Sequence, residues 1–124
     1  MTIKRLSSLQ WFALLGGAVA LAFGHLAGLG LTVAECNVNG PRWNIANDAW
    51  EIAIEATAVC AMLLAGAASA LIISRTQGTS YDDDPPLSRV RFFAIAALVA
   101  NALFTIVVLL DLFGNVFNAV CRQS

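Results

Sequence analysis

Four ionisable side chains lie within or at the edge of long apolar segments, where charge is costly. They are His25 in the first segment, Glu51 and Glu55 in the second, and Asp111 in the third. Ionisable residues inside membranes usually face protein or water and are candidate functional residues. One interpretation is an ion or proton site in the outer half of the membrane. The other, which we favour from sequence, has a neutral, hydrogen-bonded His25, with Glu51 and Asp111 reaching the interface and only Glu55 immersed.

Glu55 is the acid that the apolar pattern places inside the membrane, about one turn from the end of its segment. We expect it to face a protein interface or a polar cavity rather than lipid, because a charge at that depth costs about 2.5–3.5 kcal/mol. His25, Thr32 or Asn115 could supply its hydrogen-bond partner. Asn101 is a further polar residue in the middle of a segment.

His25 is the single histidine of the chain. Haem in membrane proteins often has two histidine ligands, so a second copy or a partner would have to supply the other. The sequence has no Cys-x-x-Cys or His-x-x-x-His pair for zinc, and no recognisable catalytic set. We therefore expect no catalytic residue, no metal and no resident cofactor. Binding of haem or quinone through His25 is kept as an alternative.

The chain has three cysteines, two of which follow an apolar segment. Cys36 follows the first segment and Cys121 follows the third, so both lie on the same side of the membrane. An oxidising compartment on that side would permit a Cys36–Cys121 disulfide. Cys60 lies in the middle of the second segment, and we interpret it as a small packing residue.

Three apolar segments position these residues: 11–34, 50–73 and 92–113, the last with an extension toward 120. Each is about 22–24 residues long, enough to cross a hydrocarbon core of about 30 Å as a helix. The chain is 59% hydrophobic and 12% charged. We predict an all-α fold, a three-helix transmembrane bundle, with 1–124 as a single membrane domain.

Basic residues accumulate on the cytoplasmic side of membranes, which sets the orientation. Five Lys and Arg flank one side of the predicted bundle and two flank the other: Lys4, Arg5, Arg75, Arg89 and Arg91 against Arg42 and Arg122. We predict a multi-pass protein of the bacterial inner membrane, with the N-terminus cytoplasmic and the C-terminus outside. The net charge of −1 gives no indication of a nucleic-acid partner.

Small residues recur at every fourth position on two of the predicted helices. Such ridges let helices approach closely. The first helix carries Gly16, Ala20, Gly24 and Gly28, and the second carries Ala53, Thr57, Ala61, Ala65 and Ser69. The two ridges could pack together within the chain. The remaining apolar faces would meet lipid or other integral membrane subunits.

The third segment carries a family resemblance. It begins Arg-Val-Arg-Phe-Phe-Ala-Ile at 89–95, continues with Ala-Leu-Phe at 102–104 and Ile-Val-Val-Leu-Leu at 106–110, and ends toward Cys121, with Cys36 after the first segment. This layout resembles small three-helix proteins associated with bacterial haem–copper cytochrome c oxidase. The resemblance implies a non-catalytic accessory subunit or assembly factor of a respiratory membrane complex. A small oligomeric transporter that uses Glu55 is a further alternative.

Overall fold

The structure is a computed structural model that describes residues 3–36, 47–80 and 86–117. In those ranges the chain forms three helices and no strand: α1 (Ile3–Glu35), α2 (Asn47–Arg75) and α3 (Leu87–Phe117). Each helix is long and apolar enough to span a membrane. The predicted all-α three-helix bundle is confirmed, and its helices are those of a multi-pass membrane protein.

The helices extend beyond the apolar segments that predict them. α1 has 33 residues and α3 has 31, about 50 Å and 46 Å at 1.5 Å per residue. α1 begins at Ile3, well before Trp11, because Leu6 is buried and packs with Ala68 and Ile72 of α2. Hydropathy misses this first part of α1 because exposed polar residues surround the one buried leucine.

α2 packs against both other helices, and the α1–α3 interface is the smallest of the three. Its buried positions recur every seven residues, at Glu51, Ala58, Ala65 and Ile72, and again at Met62 and Ser69. A seven-residue repeat keeps one face of a helix toward its neighbours when helices cross at a shallow angle. This repeat places Glu51 on the interior face of the bundle.

The small-residue ridge of α1 lies partly against α2. A methyl group at Gly16 would stand 3.4 Å from the Cβ of Ala65, and one at Gly24 would stand 3.6 Å from the Cβ of Ala58. Ala20 packs beside the buried cluster that includes Ala58. A methyl group at Gly28 would meet nothing within 4 Å. The close approach of α1 to α2 is therefore greatest between Gly16 and Gly24.

The predicted ridge of α2 is only half in the interface. Ala65 and Ser69 are buried and Ala61 is half-buried, whereas Ala53 and Thr57 are exposed. A row of every fourth residue turns about 40° around the helix axis at each step, so it leaves the interface after two or three steps. The buried face follows the seven-residue repeat instead, and Ala58 rather than Ala53 or Thr57 meets α1.

Candidate functional site

His25 of α1 and Asp111 of α3 contact each other across the smallest helix interface. The Nε2 atom of His25 lies 2.8 Å from Oδ2 of Asp111, with 51% and 46% of the two side chains exposed in the isolated chain. The other ring nitrogen, Nδ1, lies 3.0 Å from the backbone carbonyl oxygen of Leu21. Both nitrogens are thus engaged within the chain.

Glu51 brings a carboxyl group from α2 to the same end of the bundle. Its side chain is almost fully buried, with 7% exposed. The hydroxyl of Thr32 lies 3.4 Å from Oε1 of Glu51, a long hydrogen bond, and 3.0 Å from the carbonyl oxygen of Gly28. Glu55 lies one turn further into the bundle and is half-buried. A buried carboxyl group needs such polar neighbours because an unsatisfied one is costly.

One cavity of about 420 Å³ brings the four ionisable residues together. Its polar lining consists of His25, Thr32, Glu51, Glu55 and Asp111, and its walls include the small residues Gly24, Gly28, Ala58 and Gly114. Small residues leave the space that larger side chains would fill. The cavity lies where α1 and α3 end and α2 begins, the end that the basic-residue rule predicts to be outside.

The structure gives each of these residues a specific surrounding. Asp111 pairs with His25, a contact that the sequence interpretation does not include. Thr32, expected as a partner of Glu55, contacts Glu51 instead. Glu55 lines a polar cavity, as expected. The side chain of Asn115, the third candidate partner, lies outside the described residues.

The site has the means to hold and exchange a proton. Imidazole is the side chain whose ordinary pKa lies closest to neutral pH, and a short contact between an imidazole nitrogen and a carboxyl oxygen allows a proton to be shared. Within the ranges that the structure covers, no three His, Cys, Asp or Glu side chains lie close enough together to hold a metal ion.

Asn101 forms a second polar contact between α1 and α3, near the middle of the bundle. Its Nδ2 donates to the carbonyl oxygen of Ala13 in α1 at 2.8 Å and to that of Ala97 in its own helix at 2.8 Å. The side chain is 3% exposed. The predicted intramembrane polar residue thus joins two helices, which is a structural role.

Arg91, which the sequence analysis uses for the membrane orientation and the family resemblance, joins α2 to α3 at the opposite end of the bundle. Its Nη1 donates to the carbonyl oxygens of Thr76 at 3.1 Å and Gln77 at 3.0 Å, and also to that of Thr79. These carbonyls follow the C-terminus of α2, where a helix leaves acceptors unsatisfied and favours positive charge. An arginine in the first turns of the next helix is the signal that could have indicated this contact.

The cysteines are only partly within the described chain. Cys60 is an exposed free thiol, and Cys36, which directly follows α1, is not free. Its predicted partner, Cys121, lies outside the described residues. The Cys36–Cys121 disulfide therefore stays a prediction.

Comparison with known proteins gives no assignment. No family model, curated protein or solved structure matches this chain. The functional proposals therefore depend on the residues and contacts described above.

Proposed function

We propose that this protein is a non-catalytic membrane subunit or assembly factor of a larger membrane complex. The observation that supports the proposal is that the polar groups inside the bundle form contacts between its own helices. Asn101 and the His25–Asp111 pair join α1 to α3, whereas large apolar side chains cover the outer faces of all three helices. In membranes, such faces meet lipid or the helices of other subunits.

The proposed host is a bacterial respiratory complex of the haem–copper cytochrome c oxidase type, located in the inner membrane. The resemblance of 89–110 supports this choice. The four arginines that the structure describes, Arg5, Arg75, Arg89 and Arg91, lie at the end of the bundle where α1 and α3 begin. The positive-inside rule then supports a cytoplasmic N-terminus and an outer location for the cavity.

Haem ligation by His25 is less well supported than a subunit role. An iron ligand must offer a nitrogen lone pair to the metal, with the other nitrogen held by a neighbour. In His25 one nitrogen contacts Asp111 and the other contacts the Leu21 carbonyl. Ligation would require one of these two contacts to break.

The cavity supports a second candidate, a small oligomeric transporter that uses Glu55. Its supporting observation is the convergence of four ionisable residues on one space of about 420 Å³. Transport would appear as solute or ion flux into vesicles that contain the purified protein alone. The subunit proposal expects no such flux.

Purification from native membranes tests the subunit proposal. A tagged copy at native expression level, extracted in mild detergent, should carry stoichiometric integral membrane proteins that mass spectrometry identifies. Deletion of the gene should lower the amount of assembled complex, and a His25→Ala variant should leave its haem absorption spectrum unchanged. A protein that purifies alone, or a haem signal lost in the His25→Ala complex, would contradict the proposal.

A further inference from the structure

The two contacts of the His25 ring impose a proton count. Nδ1 lies 3.0 Å from the Leu21 carbonyl oxygen and Nε2 lies 2.8 Å from the Asp111 carboxyl oxygen. A carbonyl oxygen only accepts hydrogen bonds, and so does an ionised carboxylate. A neutral imidazole has one N–H and can satisfy only one of them. The second contact therefore needs one further proton, either on the ring or on the carboxyl group.

We propose that His25 and Asp111 form a proton-binding site, and that the bound proton strengthens the contact between α1 and α3 at the cavity. With the proton, the pair has no net charge and both ring contacts are hydrogen bonds. Without it, the pair carries one negative charge and the single N–H of the ring serves only one contact. Either Nε2 keeps a hydrogen bond to Asp111 and Nδ1 loses the one to Leu21, or Nδ1 keeps its bond and Nε2 presents a lone pair to the carboxylate.

The location of the pair makes the state of this proton important for the bundle. The α1–α3 interface is the smallest of the three helix interfaces. The titratable groups that face the same cavity are Glu51 and Glu55 of α2, and among the described residues α1 and α3 contribute only His25 and Asp111. Loss of the proton adds a negative charge beside two carboxyl groups and costs the pair one of its charge-assisted hydrogen bonds. The packing of α1 against α3 at the cavity end is then weakened.

The single histidine allows a direct test by NMR. In protein labelled with ¹⁵N-histidine and reconstituted in lipid, every imidazole signal belongs to His25. At pH 7 we expect both ring nitrogens to carry protons in the natural chain, and only one to do so in Asp111→Asn. A neutral ring beside a protonated Asp111 also places the proton in the pair. The Asp111 signal in ¹³C carboxyl spectra is assigned as the one that disappears in Asp111→Asn. A neutral ring beside an ionised Asp111 overturns the proposal.

The link between proton and helix packing is tested by unfolding at different pH. A folded state that holds one proton more than the unfolded state loses stability as the pH rises, by up to about tenfold in the unfolding equilibrium constant per pH unit. We expect this loss of stability with rising pH in the natural chain, and a weaker dependence in Asp111→Asn and His25→Gln. Thr57→Val, at an exposed, non-titrating position of α2 outside the cavity, is the control and should keep the natural dependence. Equal dependence in all four proteins overturns the link.

Both measurements use the purified protein alone. They decide the proton site whether or not a host complex or a transport activity is found. The proposal on His25 and Asp111 can therefore fail without affecting the subunit proposal, and the reverse also holds.

Discussion

Asn101 lies so close to Gly17 that its side-chain oxygen, Oδ1, occupies the place where a Cβ at position 17 would stand. The amide nitrogen of the same side chain donates to Ala13, one turn earlier on α1. Glycine at position 17 thus lets a polar side chain of α3 reach the backbone of α1. The contact explains why an asparagine is tolerated in the middle of the bundle.

A Gly17→Ala substitution should destabilise the protein. The added methyl group would displace Oδ1 of Asn101 and break the Asn101–Ala13 hydrogen bond, at a cost of about 1–3 kcal/mol, typical of overpacking. Unfolding of the purified protein in mixed detergent–lipid micelles measures the effect. Gly30→Ala is the matched control, because a methyl group there meets nothing within 4 Å, and its stability should be unchanged or higher. Equal effects of the two substitutions would contradict the proposed contact.

The coupling between the two residues is a separate prediction. In an Asn101→Ala background the obstructing side chain is gone, so Gly17→Ala should cost less than in the natural chain. Residues in direct contact show coupling energies of about 0.5–3 kcal/mol in double-mutant cycles. The same unfolding assay on the two single variants and the double variant gives this value. Additive costs would show that Asn101 and Gly17 do not interact.

The sequence comes close to predicting that His25 and Asp111 lie at the same depth in the bundle, but it does not predict that they pair with each other. His25 lies 22 residues after the first residue of α1, and Asp111 lies 24 after that of α3, so the two parallel helices place them at the same height. Counted from the apolar segments at Trp11 and Phe92 they differ by five residues, about 7.5 Å. A hydropathy pattern does not show this match, because both helices begin with polar turns that lie before the apolar segments. In α1 the first turns include the buried Leu6.

The rotation of each helix about its own axis is the other missing quantity. The near-uniform hydrophobicity of the segments gives little indication of which face of α2 is buried, so Ala53 and Thr57 were predicted at the interface and Ala58 was not. The seven-residue repeat of buried positions decides the rotation, and it emerges only when α2 is packed between α1 and α3. The pairing of His25 with Asp111 also depends on the rotation of α1 and α3 about their own axes.

The Cys36–Cys121 disulfide is the third prediction. A bridge over a loop of about 85 residues would stabilise the chain by up to about 4–5 kcal/mol in the chain-entropy model, and by less in a membrane that already restrains the chain. Protein from an oxidising compartment, unfolded without reductant, should show one reactive thiol per chain, that of Cys60. Cys60→Ser should then show none. Two or three reactive thiols in the unreduced natural protein would be incompatible with the bridge.

The last prediction concerns Arg91, whose guanidinium binds three carbonyl oxygens after the end of α2. Arg91→Gln removes the charge and most of these donors, and hydrogen bonds to a charged group are worth about 1.5–3 kcal/mol. We expect the amide of Thr79, which donates to the Thr76 carbonyl at 3.1 Å, to exchange with deuterium faster than in the natural chain. Hydrogen exchange with mass spectrometry of peptides that cover 76–80 measures this.

Arg89→Gln is the matched control, because Arg89 is an exposed arginine two residues away on the same helix. The substitution removes the same charge as Arg91→Gln does. Its exchange in 76–80 should match the natural chain. Arg91→Lys should give intermediate protection, since a lysine keeps the charge but cannot reach several carbonyls in a fixed fork. If Arg89→Gln and Arg91→Gln raise exchange equally, the effect comes from net charge at this end of the bundle and the Arg91 contact is not what orders the α2 terminus.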